Sequence, residues 1–406
     1  MPLISPTAHR LGLVAFLLLA VLCGLELSVG KATAAPPEFP AGWIGYNLHR
    51  TNLPGGRWAN VRTNRAMLVR GDGSGNRLVG EPLLSEPGLW TQFVGWSPDG
   101  QLTILGQAWE SEDNARWEEE HQTFRFHAEG WRYDSFLFHP QTGEAENLTA
   151  VDRVSFYNTG LFFWNNDPGQ LGFTALINGN SKPFRMDRDG RHKVDLTQDS
   201  AGFAYGFSSS PDGRRISYHE NYQVYLADAD GKNRIHVQTG HPFVFAPRWS
   251  PDGQWLLFVS GEHYNCHPHI VRADGTGLKK LADRNGYRGV TEFLDVPDFH
   301  GGSSDIPVWS VRGDRVYYTA QVEDRVELFE VTLDGTSRQL THSAPGTSHY
   351  HPNPSPDGEW LLYGSNRRGV RNLYLRRLSD QRETPLTNLP YGYAAMHAHW
   401  QPVPAK

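Results

Sequence analysis

Short apolar runs recur along this chain, each set off by a polar turn. The string Ser-Pro-Asp-Gly stands at 97–100, 210–213, 250–253 and 355–358, with degenerate copies at 166–169 and 310–313. Behind these turns lie strand-like runs at 102–105, 216–218, 255–259, 316–319 and 360–363. Pro and Gly set a tight turn, and a β-rich run directly after it reads as the return strand of a hairpin. A second turn falls near Gly73, Gly143, Gly190, Gly231, Gly275 and Gly335, and once more at Ser379-Asp380, with a strand often ending in Leu-Thr behind it. Units of four strands and about 45 residues are the arithmetic of propeller blades. The pattern predicts an all-β, seven-bladed β-propeller, with six or eight blades as the alternative counts.

The first unit lacks an innermost strand of its own, since strand-like sequence begins at Trp43. One spare segment, 394–401, follows the last turn, and its His397-Ala398-His399-Trp400-Gln401-Pro402 is similar to Ala246-Pro247-Arg248-Trp249-Ser250-Pro251. This C-terminal strand is expected to complete the first blade and close the ring, which removes exposed sheet edges. Two units carry insertions, at 110–129 and 286–302. Long loops in a compact ring are often functional.

Composition narrows the reading further. Aromatics make up 12% of the 406 residues and charged residues 20%, as expected of a strand-rich globular domain. The net charge of −6, without a basic run, argues against nucleic acid as a partner. Residues 11–25 form a weakly polar run behind His9 and Arg10, too short for a membrane span, and Ala32-Thr33-Ala34 has the small-x-small form of a cleavage site. Residues 1–34 are therefore read as a secretory signal and 35–406 as one propeller domain. The product would be a periplasmic or secreted monomer with no membrane span. Two Cys in the whole chain exclude a disulfide scaffold and a four-Cys zinc module, and Cys266 alone remains after cleavage. No Gly-x-Ser-x-Gly elbow, P-loop or His-Glu-x-x-His appears.

Histidines carry the remaining candidate chemistry. Aligned on the residue before each turn, His349 and His351 of the seventh blade and His397 and His399 of the closing strand approach one another across the seam. Period-two spacing would put each pair on one side of its strand. Convergent neutral imidazoles suit a divalent metal such as zinc or manganese. Polar lining of the channel without a metal is the alternative. Arg248 shares the offset of His399 and is expected to face the same region. A second cluster, 262–269, contains His263, Tyr264 and Cys266 and lies in a loop at one mouth of the channel.

The Ser-Pro-Asp-Gly turns and strands such as Trp255-Leu256-Leu257-Phe258 resemble the TolB-like propeller repeat over most of residues 40–402. His349-Tyr350-His351-Pro352, followed by Ser355-Pro356-Asp357-Gly358 and Leu373-Tyr374-Leu375, resembles the last blade of the oligogalacturonate lyases. That family holds a metal, usually manganese, with a Gln and two His there and a further His from the preceding blade. The two His fall on His349 and His351, while Gly346 and Ile306 occupy the other positions.

The resemblance implies a carbon–oxygen lyase that eliminates across uronate-containing oligosaccharides. Its metal would sit on His349, His351 and His397, with Arg248 and His399 at the substrate and His263 or Tyr264 as acid/base. The reading from a different class is a non-catalytic exported propeller that binds a protein or an oligosaccharide at the channel mouth.

Overall fold

The computed structural model describes residues 38–121, 130–149, 161–177, 180–197, 202–262, 265–287 and 305–402. Residues 1–34, read above as a secretory signal, lie outside the described residues, as does most of the 286–302 insertion. Seven four-stranded antiparallel sheets form seven blades. The innermost strands of blades two to seven are Trp90–Trp96, Leu161–Phe163, Ala204–Ser209, Phe243–Trp249, Val308–Trp309 and His349–Pro354. Blade one takes its innermost strand from the other end of the chain. There Tyr393–Trp400 pairs antiparallel with Trp43–Arg50, so the expected closing strand is present. The weakest repeat in the sequence also forms a complete blade, Leu161–Phe163, Gln170–Ile177, Asn180–Asp187 and Val194–Asp195.

The repeated turn builds itself from its own side chains. In the first copy the Ser97 hydroxyl donates to Asp99 at 2.5 Å and accepts from the Leu102 amide at 2.9 Å. The Asp99 carboxylate accepts from the Gln101 amide, and Gly100 supplies the left-handed residue at φ 68. The same bonds recur at Ser210, Ser250 and Ser355. Where Arg312 replaces the aspartate, Ser310 bonds Asp314 instead. These turns define the lower face of the ring, and the hairpins between second and third strands define the upper face.

Apolar residues pack between blades rather than around one centre. Leu362, Leu373 and Leu375 of blade seven lie against Ile44, Tyr46 and Ala395 of blade one, and Leu257 and Ile270 of blade five lie against Val316 and Tyr318 of blade six. Each such side chain, fully buried, contributes roughly 1.5–3 kcal/mol. At the lower ends of the innermost strands, indoles tie blades together. Trp96 donates to the His399 carbonyl at 3.3 Å, Trp309 to that of Arg248 at 3.1 Å and Trp400 to that of Asn353 at 3.0 Å.

The insertion at 110–129 contains helix α2 (Glu112–His121), which sits on the upper face beside helix α1 (Gly56–Val61). Arg57 of α1 donates to Glu110 at 2.9 Å and to the buried Glu118 at 3.1 Å. The helices are locked by this ion pair, and the charge run 118–120 is in part an internal anchor rather than wholly a solvated decoration. Among the described residues, no helix is long and apolar enough to cross a membrane.

Candidate functional site at the seam of blades seven and one

Four innermost strands carry a left-handed residue at the same offset: Gly206 (φ 64), Ala246 (φ 51), His351 (φ 50) and His397 (φ 48). The pairing register shifts at each of these places. Glycine adopts this conformation freely, whereas a β-carbon makes it cost of order 1 kcal/mol. Two histidines held in it at one seam mark a place where the fold tolerates strain to aim side chains toward the channel.

The two strained histidines meet. The rings of His351 and His397 stack with centroids 4.3 Å apart and planes inclined by 27°. Beside them stands Asp305, buried at 2% exposure and just ahead of the innermost strand of blade six. Its carboxylate accepts from the His351 amide at 2.9 Å and from the Tyr287 hydroxyl at 3.2 Å, and the Thr319 hydroxyl donates to it as well. Arg284, equally buried, lies 3.8 Å from Asp305 and donates to the carbonyl and hydroxyl of Thr319, each at 2.8 Å. Its guanidinium also covers the Tyr287 ring at 4.3 Å. Burial raises the Asp305 carboxyl above its ordinary value, although Arg284 and the three donors act against it. Burial, then Asp305, hold the Tyr287 phenol protonated. His397 is kept neutral by burial and by His351. Farther down, burial pushes His399 to about 3, helped by His397 and Arg248. His351, His397 and His399 are half-buried and Arg248 is exposed, although protein surrounds the channel they line.

His349 does not join them. The bulge at His351 breaks the two-residue alternation, so the two histidines leave the strand on different sides, contrary to the spacing argument. The His349 ring is fully buried between blades, with Nε2 2.8 Å from the Ser343 hydroxyl and 3.4 Å from Glu327 of blade six. Burial alone would raise Glu327, but hydrogen bonds from His349, Thr341 and the Ser343 amide overcome it and hold the carboxylate at about 2. Burial lowers His349 in turn.

This arrangement does not fit the expected metal. Two stacked imidazoles and a carboxylate occupied by three donors remain at the seam, and the third histidine is engaged elsewhere. Among the described residues, no three His, Cys, Asp or Glu side chains gather around a point that could hold an ion. His263 and Tyr264 lie outside the described residues. Cys266 is buried, with Sγ 3.4 Å from the Glu262 carbonyl. Sequence reasoning missed Asp305, Arg284, Tyr287 and Thr319. The signal for Asp305 was one residue away, because Ile306 is the position at which a ligand from blade six was sought.

Below the seam the channel opens into a cavity of about 390 Å³ on the lower face. Its wall includes Trp96, Trp309, Trp400, Pro251, Pro354 and Pro356, with His399 among them. Most polar side chains of this wall are already engaged. The three indoles bond across blades, Ser310 and Ser355 bond their turn aspartates, and Asn353 donates to the Ala398 carbonyl at 2.9 Å.

Residues 220–402 match the TolB β-propeller domain. A protein of Agrobacterium fabrum is 25% identical over 176 residues, 41% of this chain and 56% of that protein. The Tol-Pal system protein TolB of Thioalkalivibrio sulfidiphilus is 31% identical over 67 residues, 16% of this chain and 15% of its own. The chain thus spans about half or less of the length of these relatives. An oligogalacturonate lyase solved in complex with manganese superposes over 85% of both chains with a TM-score of 0.52 at 12% identity, a likeness of fold alone. The chain is a seven-bladed β-propeller whose residues 220–402 carry TolB-like repeats.

Proposed function

We propose that this chain is an exported, non-catalytic propeller that receives a segment of a partner protein at the lower mouth of its channel. The observation that carries this reading is the wall of the 390 Å³ cavity, which is aromatic and proline-rich and most of whose polar side chains, His399 aside, are satisfied internally. Such a surface rewards burial of apolar side chains and offers few free donors or acceptors for the hydroxyls of a sugar. Matches to proteins of the Tol-Pal system support the reading as likeness only.

The test places a photo-crosslinking residue at Val311, which is 41% exposed beside the mouth, and for comparison at Tyr222, 36% exposed on an upper hairpin. Adducts in the native host from Val311 but not from Tyr222 are expected. The same purified protein is assayed for bound metal and for ultraviolet-absorbing unsaturated products from pectic and algal uronates, with neither expected. Retained metal together with product would overturn the binding reading and restore the lyase reading. What favours that second reading is the stacked His351–His397 pair beside Asp305 at the seam.

A further inference from the structure

A second cavity, of about 230 Å³, opens between blades six and seven next to the mouth. The two share Ser310, Val311 and Pro354, so one ligand can reach from one into the other across the exposed Val311. The chemistry changes across that ridge. Four guanidinium groups, Arg312, Arg315, Arg338 and Arg376, line the second cavity against two carboxylates, Asp314 and Glu330. This excess of positive charge stands out in a chain whose net charge is −6.

The pairing inside the cleft leaves donors available. Glu330 is nearly buried and is shared by Arg315 at 3.2 Å and Arg338 at 2.7 Å. Arg315 also bonds Asp314 at 3.0 Å, while Arg376 is fixed on Glu383 at 2.9 Å and on Gln381 at 3.2 Å. The Arg338 side chain stays 62% exposed. Arg312 is exposed and makes no ion pair among the described residues. A guanidinium presents five donors in a planar fork that matches a carboxylate, and a half-enclosed cleft screens that attraction less than open water does.

We infer that the cleft between blades six and seven is an anion-binding site that takes a carboxylate of an acidic peptide segment, whose apolar part occupies the neighbouring mouth. The first half of this inference stands without the mouth, and the second half rests on the binding function proposed above. The site also explains why Arg312 stands where four other copies of the turn carry the aspartate that bonds the serine hydroxyl. At this one turn the serine takes Asp314 as its partner, and the vacated position carries a free cation at the edge of the cleft.

The test titrates the full chain with acetyl-tetraglutamate amide, with the tetraglutamine analogue and with inorganic phosphate at two salt concentrations. Tetraglutamate should bind, more weakly at high salt, and tetraglutamine should not. Arg312→Glu should weaken tetraglutamate at least tenfold, and so should the milder Arg312→Gln in lesser degree. Arg116→Glu on the far helix α2 should change nothing. Because Arg312 has no partner to lose among the described residues, both variants should keep the fold, which thermal unfolding checks. Equal affinity in wild type and Arg312→Glu would overturn the site. Phosphate binding as tightly as tetraglutamate would overturn the peptide assignment. Crosslinks from Val311 that persist unchanged in Arg312→Glu would sink the cleft alone, and anion binding without any Val311 crosslink would sink the mouth alone.

Discussion

His269 shows how a single buried side chain in this ring sets a pH limit. It is 4% exposed, stacks on Phe258 and meets the edge of His241. Burial first, and then the nearby His241, His267 and Lys280, push its imidazole down to about 4, against a hydrogen bond from its own ring to the His267 carbonyl. Above pH 6.5 the group is neutral both folded and unfolded. Between about 6.5 and 4 the unfolded chain takes up a proton that the folded chain refuses, so stability falls as pH drops, by up to about 1.4 kcal/mol per pH unit. His269→Phe, with a ring of the same stacking shape, should lose that part of the slope. Urea midpoints at pH 7, 5.5 and 4.5 measure it, and a variant that tracks wild type at all three would refute the assignment. At this scale the sequence placed His351 and His397 on neighbouring strands but not the direction in which each histidine points. The pairing of His351 with His397 follows from register, whereas the turning of His349 toward Glu327 follows from a left-handed bulge that no spacing rule contains.

Between elements, the clearest device is the series of indoles at the lower ends of the innermost strands. Each reaches one blade back and donates to a carbonyl of the neighbouring innermost strand, so the bond joins two sheets that share no ladder. Trp309→Phe keeps most of the ring and deletes only the donor to Arg248. It should cost about 1 kcal/mol, with Trp400→Phe similar and the double variant nearly additive, because the two bonds lie in different seams. Calorimetry on the three variants checks this, and a neutral Trp309→Phe would show that the carbonyl is satisfied by channel water instead. The Ser-Pro-Asp-Gly turn was fully legible in the sequence because all its bonds are local. The indole bonds were not, since they depend on which blades become neighbours.

On the scale of the whole molecule, the ring depends on its last strand. Tyr393–Trp400 supplies the innermost strand of blade one, and the seam it makes is fastened by Tyr350 on the Ala395 carbonyl at 3.1 Å and by Asn353 on that of Ala398 at 2.9 Å. Ending the chain at residue 392 would leave an open edge on Trp43–Arg50 and expose Ile44 and Tyr46. Such a chain should lose its single cooperative transition and associate, as seen by calorimetry and gel filtration. A monomer with an unchanged midpoint would show that blade one holds without closure.

The sequence by itself determined the propeller repeat, the turn chemistry and the spare C-terminal strand, because each is written in short strings whose hydrogen bonds and apolar alternation act over a few residues. Tertiary structure alone decided the site. Asp305, Arg284 and Thr319 become neighbours of His351 only when blades five, six and seven stand side by side. The arginine cleft likewise exists only between two blades. Such groups interact through space at 3–4 Å while lying tens of residues apart in the chain, so no local period could announce them.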